Sequence, residues 1–106
     1  MFDFKIFTEL KNLGSLKMKI ISSVELSKGY EHWRGLFLAN ENFRQDHGIN
    51  VLAYGHEEGN KDKVWVCMEV ESMEKMMSTV DKPEMIKLRE EAGAKIETQT
   101  FVKLIE

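Results

Sequence analysis

The chain has 106 residues, 42% hydrophobic and 31% charged, with a formal net charge of -3 from 15 basic and 18 acidic side chains. That is one domain's worth of ordinary globular composition, with no basic block or stripe to meet a nucleic acid and no apolar run near the roughly 20 residues a membrane helix needs. Asp3, Lys5 and Glu9 interrupt any signal-peptide core, and the single cysteine, Cys67, excludes an intrachain disulfide or a cysteine-rich zinc site, so a cytoplasmic protein is expected.

Residues 1–17 read as an appended arm. Phe2, Phe4 and Ile6 alternate with Asp3 and Lys5 as in a strand, while Phe2, Ile6, Leu10 and Leu13 also fit one helical face; both readings stay open. Gly14 and Ser15 break the pattern, and Met18 would be a natural start for a domain over 18–106. From Met18 to Leu26 the chain alternates. Ile20, Ser22, Val24 and Leu26 share one face; Lys19, Ile21, Ser23 and Glu25 share the other. Ser27 is the expected N-cap of a helix over 28–47. Its stripe is Trp33, Leu36, Phe37, Asn40, Phe43 and His47, and Gly48 is the expected left-handed stop.

Two strands follow, at 49–56 and 64–70, joined by a polar turn that contains Gly59 and Asn60. Matching their apolar sets pairs Ala53 with Val66. The same register puts Asn50 opposite Glu69, Leu52 opposite Cys67 and Tyr54 opposite Trp65. Ser72 caps the next helix, which turns Met73, Met76, Met77 and Val80 inward. Pro83 then forces a second short helix, with Asp81 as its expected N-cap, ending at Gly93. A last strand runs over 95–105.

The order is βαββαβ, the ferredoxin-like arrangement: an α+β domain with a four-stranded antiparallel sheet and helices on one face. The second face then carries Ile21, Leu52, Tyr54, Trp65, Cys67 and Phe101. So large an apolar patch calls for a cover, and a homodimer packed sheet to sheet supplies it.

The segment Tyr30 to Gly48, with Trp33 and Phe37, resembles the first helix and turn of the dimeric α/β-barrel superfamily. The Lys63–Glu71 strand running into Ser72-Met73-Glu74 and the stretch from Pro83-Glu84-Met85 to Ala92-Gly93 resemble it too. The resemblance covers about residues 18 to 106. It implies the dimeric barrel, and a group that includes cofactor-free monooxygenases, cyclase-like proteins, haem-degrading enzymes and small members of unknown role. Haem-degrading members use an Asn on the first strand, where this chain has Ser22 and Ser23. The resemblance therefore carries over no catalytic residue.

From the residues themselves, Glu25, Tyr54 and His56 form the candidate catalytic set, with Trp65 as an aromatic wall. In the expected register they make one row across the open face, with His56 at its rim. A carboxylate desolvated against an aromatic wall gains basicity, and Tyr54 or His56 could donate to a developing oxyanion. Asn40 and His47, polar members of the apolar helix stripe, are candidate ligand contacts; each also has an ordinary structural role available, His47 at the helix C-terminus and Asn40 on nearby backbone. His32, His47 and His56 lack metal-site spacing, and no glycine-rich phosphate loop is present, so neither a metal nor another cofactor is expected. The expected ligand is a small apolar or aromatic molecule. The alternative is a non-catalytic binding, sensor or assembly module with a filled pocket. A cavity of about 300 Å³ or more with convergent polar groups would favour the first reading.

Overall fold

The structure is a computed structural model that describes residues 17–106; the expected arm lies almost wholly outside the described residues. The elements run β1 (Met18–Leu26), α1 (Tyr30–Ala39), α2 (Glu41–Asp46), β2 (Ile49–Glu57), β3 (Asn60–Val70), α3 (Met73–Val80), α4 (Pro83–Glu91) and β4 (Ala94–Leu104). The four strands form one antiparallel sheet in the order β2-β3-β1-β4, with the helices on one face. This is the expected ferredoxin-like fold.

Ile20, Val24 and Leu26 of β1 meet Val64, Val66, Met68 and Val70 of β3 beneath Trp33, Met76 and Met85 of the helices, and all are buried. The alternation of β1 places these residues on one side, because successive strand side chains point to opposite faces. Ser72 caps α3 as expected: its Oγ accepts the Lys75 N–H at 3.0 Å. Gly48 stops α2 with φ 76°.

Three expectations need correction. The helix over 28–47 is two helices, α1 and α2, broken at Asn40, and α1 is capped by Gly29 rather than Ser27. Ser27 is engaged elsewhere: its N–H donates to the Gly93 carbonyl at 2.8 Å and ties the end of β1 to the start of β4. Asp81 closes α3 instead of opening α4, whose N-cap is Lys82 with Pro83 in the first turn.

The third correction matters most for the site. The β2–β3 register runs as expected through Asn50↔Glu69 and Val51↔Met68, then shifts by one residue, so that Ala53 pairs Cys67 and Tyr54 pairs Val66. Leu52 is the extra residue. A slip of one residue turns every later side chain to the other face. Tyr54 therefore lies on the helix face. On β4 the pairing with β1 shifts by three residues between Ser23 and Glu25, where the Glu25 N–H donates to Thr98 Oγ1 at 2.9 Å. An odd shift again exchanges faces, and Phe101, opposite Ser22, also packs under the helices.

Candidate functional site

The outer face keeps Ile21, Leu52, Trp65 and Cys67 from the expected patch and gains Val102 and Leu104. Neighbouring rows read Val102–Ile21–Cys67–Ala53 and Thr100–Ser23–Trp65–Gly55 across the four strands. Leu52, Trp65 and Val102 are 45%, 39% and 52% exposed. The Trp65 indole N–H donates to a Glu57 carboxylate oxygen at 2.7 Å, and Lys63 Nζ lies 5.4 Å from the ring centroid. Trp65 is thus held in one orientation on the face it exposes.

The expected row of Glu25, Tyr54, His56 and Trp65 does not form. Glu25 is exposed on the outer face opposite Lys63, and Ser23 is the residue opposite Trp65. Tyr54 and His56 are on the other side of the sheet. Tyr54 packs 5.2 Å from the Phe37 ring and 6.2 Å from Trp33, while His56 meets Tyr30 edge-on at 4.8 Å. Tyr30 and Tyr54 also flank Arg34, whose guanidinium the Tyr54 hydroxyl holds above its ordinary pKa. Burial pushes the Tyr30 phenol upward. His47 takes the structural role open to it: Nδ1 lies 2.8 Å from the Phe43 carbonyl and its ring stacks on Phe43 at 4.0 Å.

Between the helices and the sheet lies a cavity of about 120 Å³. Trp33, Phe37, Met76, Met85 and Phe101 supply its apolar lining, and Asn40, Arg44, Arg89, Gln99 and Ser22 its polar groups. Asn40 is the one sequence-selected site residue here. It sits at the α1–α2 break, and its amide Nδ2 lies 4.0 Å from Met85 Sδ. Neither carboxylate nor imidazole is part of the lining among the described residues.

The sequence reading missed the two arginines. Arg44 is only 8% exposed. Its guanidinium carbon lies 3.8 Å above the Phe37 ring, and Nη2 donates to Glu41 Oε1 at 3.2 Å. Arg89 donates from Nη2 to the Val80 carbonyl at 2.8 Å and from Nη1 to Gln99 Oε1. Gln99 in turn donates from Nε2 to Ser22 Oγ at 3.3 Å. Burial pushes both arginines below their ordinary pKa. In each, Nε is buried without a hydrogen-bond partner among the described residues. A signal existed: Arg44 is four residues after Asn40, and Arg89 four after Met85, so each continues an inward stripe.

No family model and no curated protein matches the sequence. Solved structures share its fold. A candidate antibiotic biosynthesis monooxygenase from Bacteroides thetaiotaomicron superposes with TM-score 0.62 at 13% identity, over 85% of this chain and 89% of that one. SnoaB, a cofactor-independent oxygenase from Streptomyces nogalater, gives 0.61 at 6% identity, over 85% and 92%. A nipsnap family protein of unknown function from Agrobacterium tumefaciens gives 0.61 at 9% identity, over 85% and 87%. What they share with this chain is the ferredoxin-like fold, one antiparallel sheet with helices on one face. At these identities the likeness establishes the fold alone.

Proposed function

We propose that this chain is a small-molecule-binding protein of the α/β-barrel type, which holds an apolar or aromatic ligand in the helix–sheet cavity and pairs with a second copy through its outer sheet face. The observation that supports it is the cavity itself: an aromatic and methionine lining interrupted by a few oriented polar groups, the usual composition of a ligand site. The outer face, with Leu52, Trp65, Val102 and Leu104 exposed together, supports the pairing.

Monooxygenase-like or cyclase-like chemistry without a cofactor is the catalytic form of this proposal. Asn40 and Gln99 would orient the substrate. Tyr54 and His56, in the aromatic cluster under α1 and outside the cavity lining, would handle protons only for a ligand that extends to that cluster. Glu25 and Trp65 belong to the other face, where they would act only on a ligand held between two sheets. The non-catalytic reading has its own support. A cavity of about 120 Å³ falls below the roughly 300 Å³ of an ordinary substrate pocket, and its lining offers no general base among the described residues.

Native mass spectrometry of gently purified protein, followed by denaturing extraction, tests both parts. A dimer carrying extra mass is expected, and the extracted mass identifies the ligand. A monomer would overturn the pairing. A protein that neither carries a ligand nor takes up any small aromatic probe would overturn the binding reading.

A further inference from the structure

Arg89 has an unusual set of partners. Each of its two terminal nitrogens gives one N–H to a neutral oxygen, the Gln99 amide and the Val80 carbonyl, and no carboxylate forms an ion pair with it among the described residues. Its Nε–H is buried with no acceptor among the described residues. A buried donor without an acceptor is costly, and although Asp81 and Glu90 act on the half-buried guanidinium without pairing with it, desolvation outweighs them. Arg44 repeats the pattern more weakly, since Glu41 already neutralises it from a partly exposed position. Both guanidiniums line the same cavity.

We propose that Arg89 is the receptor for the carboxylate of a one-ring aromatic acid, with Arg44 as a second source of positive charge in the same cavity. This rests on the reading of the cavity as a ligand site and adds the ligand's charge and size. Charge follows from the orphaned donor. A guanidinium offers Nε–H and a terminal N–H side by side, a fork that fits the two oxygens of a carboxylate. Gln99, anchored on Ser22, and the Val80 carbonyl keep the fork in place before the ligand arrives, so little ordering is needed on binding. Size follows from the volume. An apolar cavity of about 150 Å³ takes benzene, whereas drug-sized ligands need about 300 Å³ or more. At about 120 Å³ the space is near the one-ring benchmark and far below the drug-sized one, so a single ring is the system proposed.

The test compares benzoate with benzamide, its neutral near-isostere, by titration calorimetry and by amide shift perturbation on the full chain at neutral pH. Benzoate is expected to bind at least about tenfold more tightly, as a charge-assisted pair does relative to a neutral one, with perturbations centred on Gln99 and Phe101. Arg89→Gln should abolish most of that preference, leaving at most the share due to Arg44, while toluene, which makes no polar contact, reports whether the cavity is intact. If wild-type protein binds benzoate and benzamide equally, the acid receptor is overturned while the ligand site stands. If neither compound nor toluene binds, the ligand-site reading itself is overturned. A folded Arg89→Gln protein that prefers benzoate as strongly as wild type would overturn the role of Arg89. The wild-type comparison decides the charge preference even where the variant does not fold.

Discussion

Single residues carry several of the constraints on this fold. Gly93, at the start of β4, has φ +90°, and a Cβ there would meet the Lys28 Cβ at 2.9 Å and its backbone nitrogen at 3.1 Å. Two costs would add, the left-handed backbone and a contact against main chain that cannot easily retreat. Gly93→Ala is expected to destabilise by about 2 kcal/mol or more, read as a lower urea midpoint at unchanged slope. Met76 is 1% exposed beneath the helices and lines the cavity. Met76→Ala is expected to cost about 2–5 kcal/mol by the same measurement, toward the low end if the enlarged cavity takes up a ligand. The same residue scale explains why the arginines were overlooked. Arg44 and Arg89 are charged, and their sequence neighbours Glu41, Gln45, Lys87 and Glu90 are the solvated kind. The spacing from Asn40 and Met85 hints at an inward face, and the packing of Phe37 and Gln99 around them shows it.

At the scale of elements, part of the helix punctuation was legible, while the break at Asn40, the caps Gly29 and Lys82, and the strand registration were not. Ser72, Pro83, Gly48 and Gly93 act locally, through a cap, a ring or a left-handed turn, so their effect is written in the residues beside them. Ser72→Ala should cost about 1 kcal/mol through the lost bond to the Lys75 N–H; thermal unfolding would show it. A bulge has no such local signature. The β2 slip at Leu52 is decided by which partners Tyr54 finds, and it finds Trp33 and Phe37. Because Val51 and Ala53 pair consecutive β3 residues, Met68 and Cys67, deletion of Leu52 leaves the ladder on both sides in register. The deleted form is expected to fold and to retain the near-ultraviolet circular dichroism of the Tyr54–Trp33–Phe37 cluster. Loss of that signal in a folded protein would show that the bulge, rather than the cluster, sets the face of Tyr54.

For the molecule as a whole, the sheet divides its polar chemistry into two compartments. The helix side holds the cavity, the arginines and Tyr54; the outer side holds Glu25, Trp65 and the exposed apolar rows. The outer side is the one that the proposed pairing would cover. Trp65→Glu places a charge in the middle of it without touching the helix-side core, since Trp65 is 39% exposed in the single chain. The proposed pairing predicts that this variant sediments as a monomer while keeping its circular dichroism, and that wild type sediments as a dimer. Equal sedimentation of the two would count against the outer face as the interface.

Periodicity, caps and turn residues were enough to determine the βαββαβ order, the antiparallel sheet and the apolar outer face, because each depends on patterns two to four residues apart. Which side of the sheet Tyr54 and Phe101 occupy was decided only by the tertiary structure. Strand parity is reset by a single extra residue, and whether the chain accepts one depends on what waits on either face. For the same reason the candidate site moved from an outer row built on Glu25 to an inner cavity built around Arg89. A row of residues along strands can be counted in the sequence, whereas an orphaned donor is a property of everything packed around it.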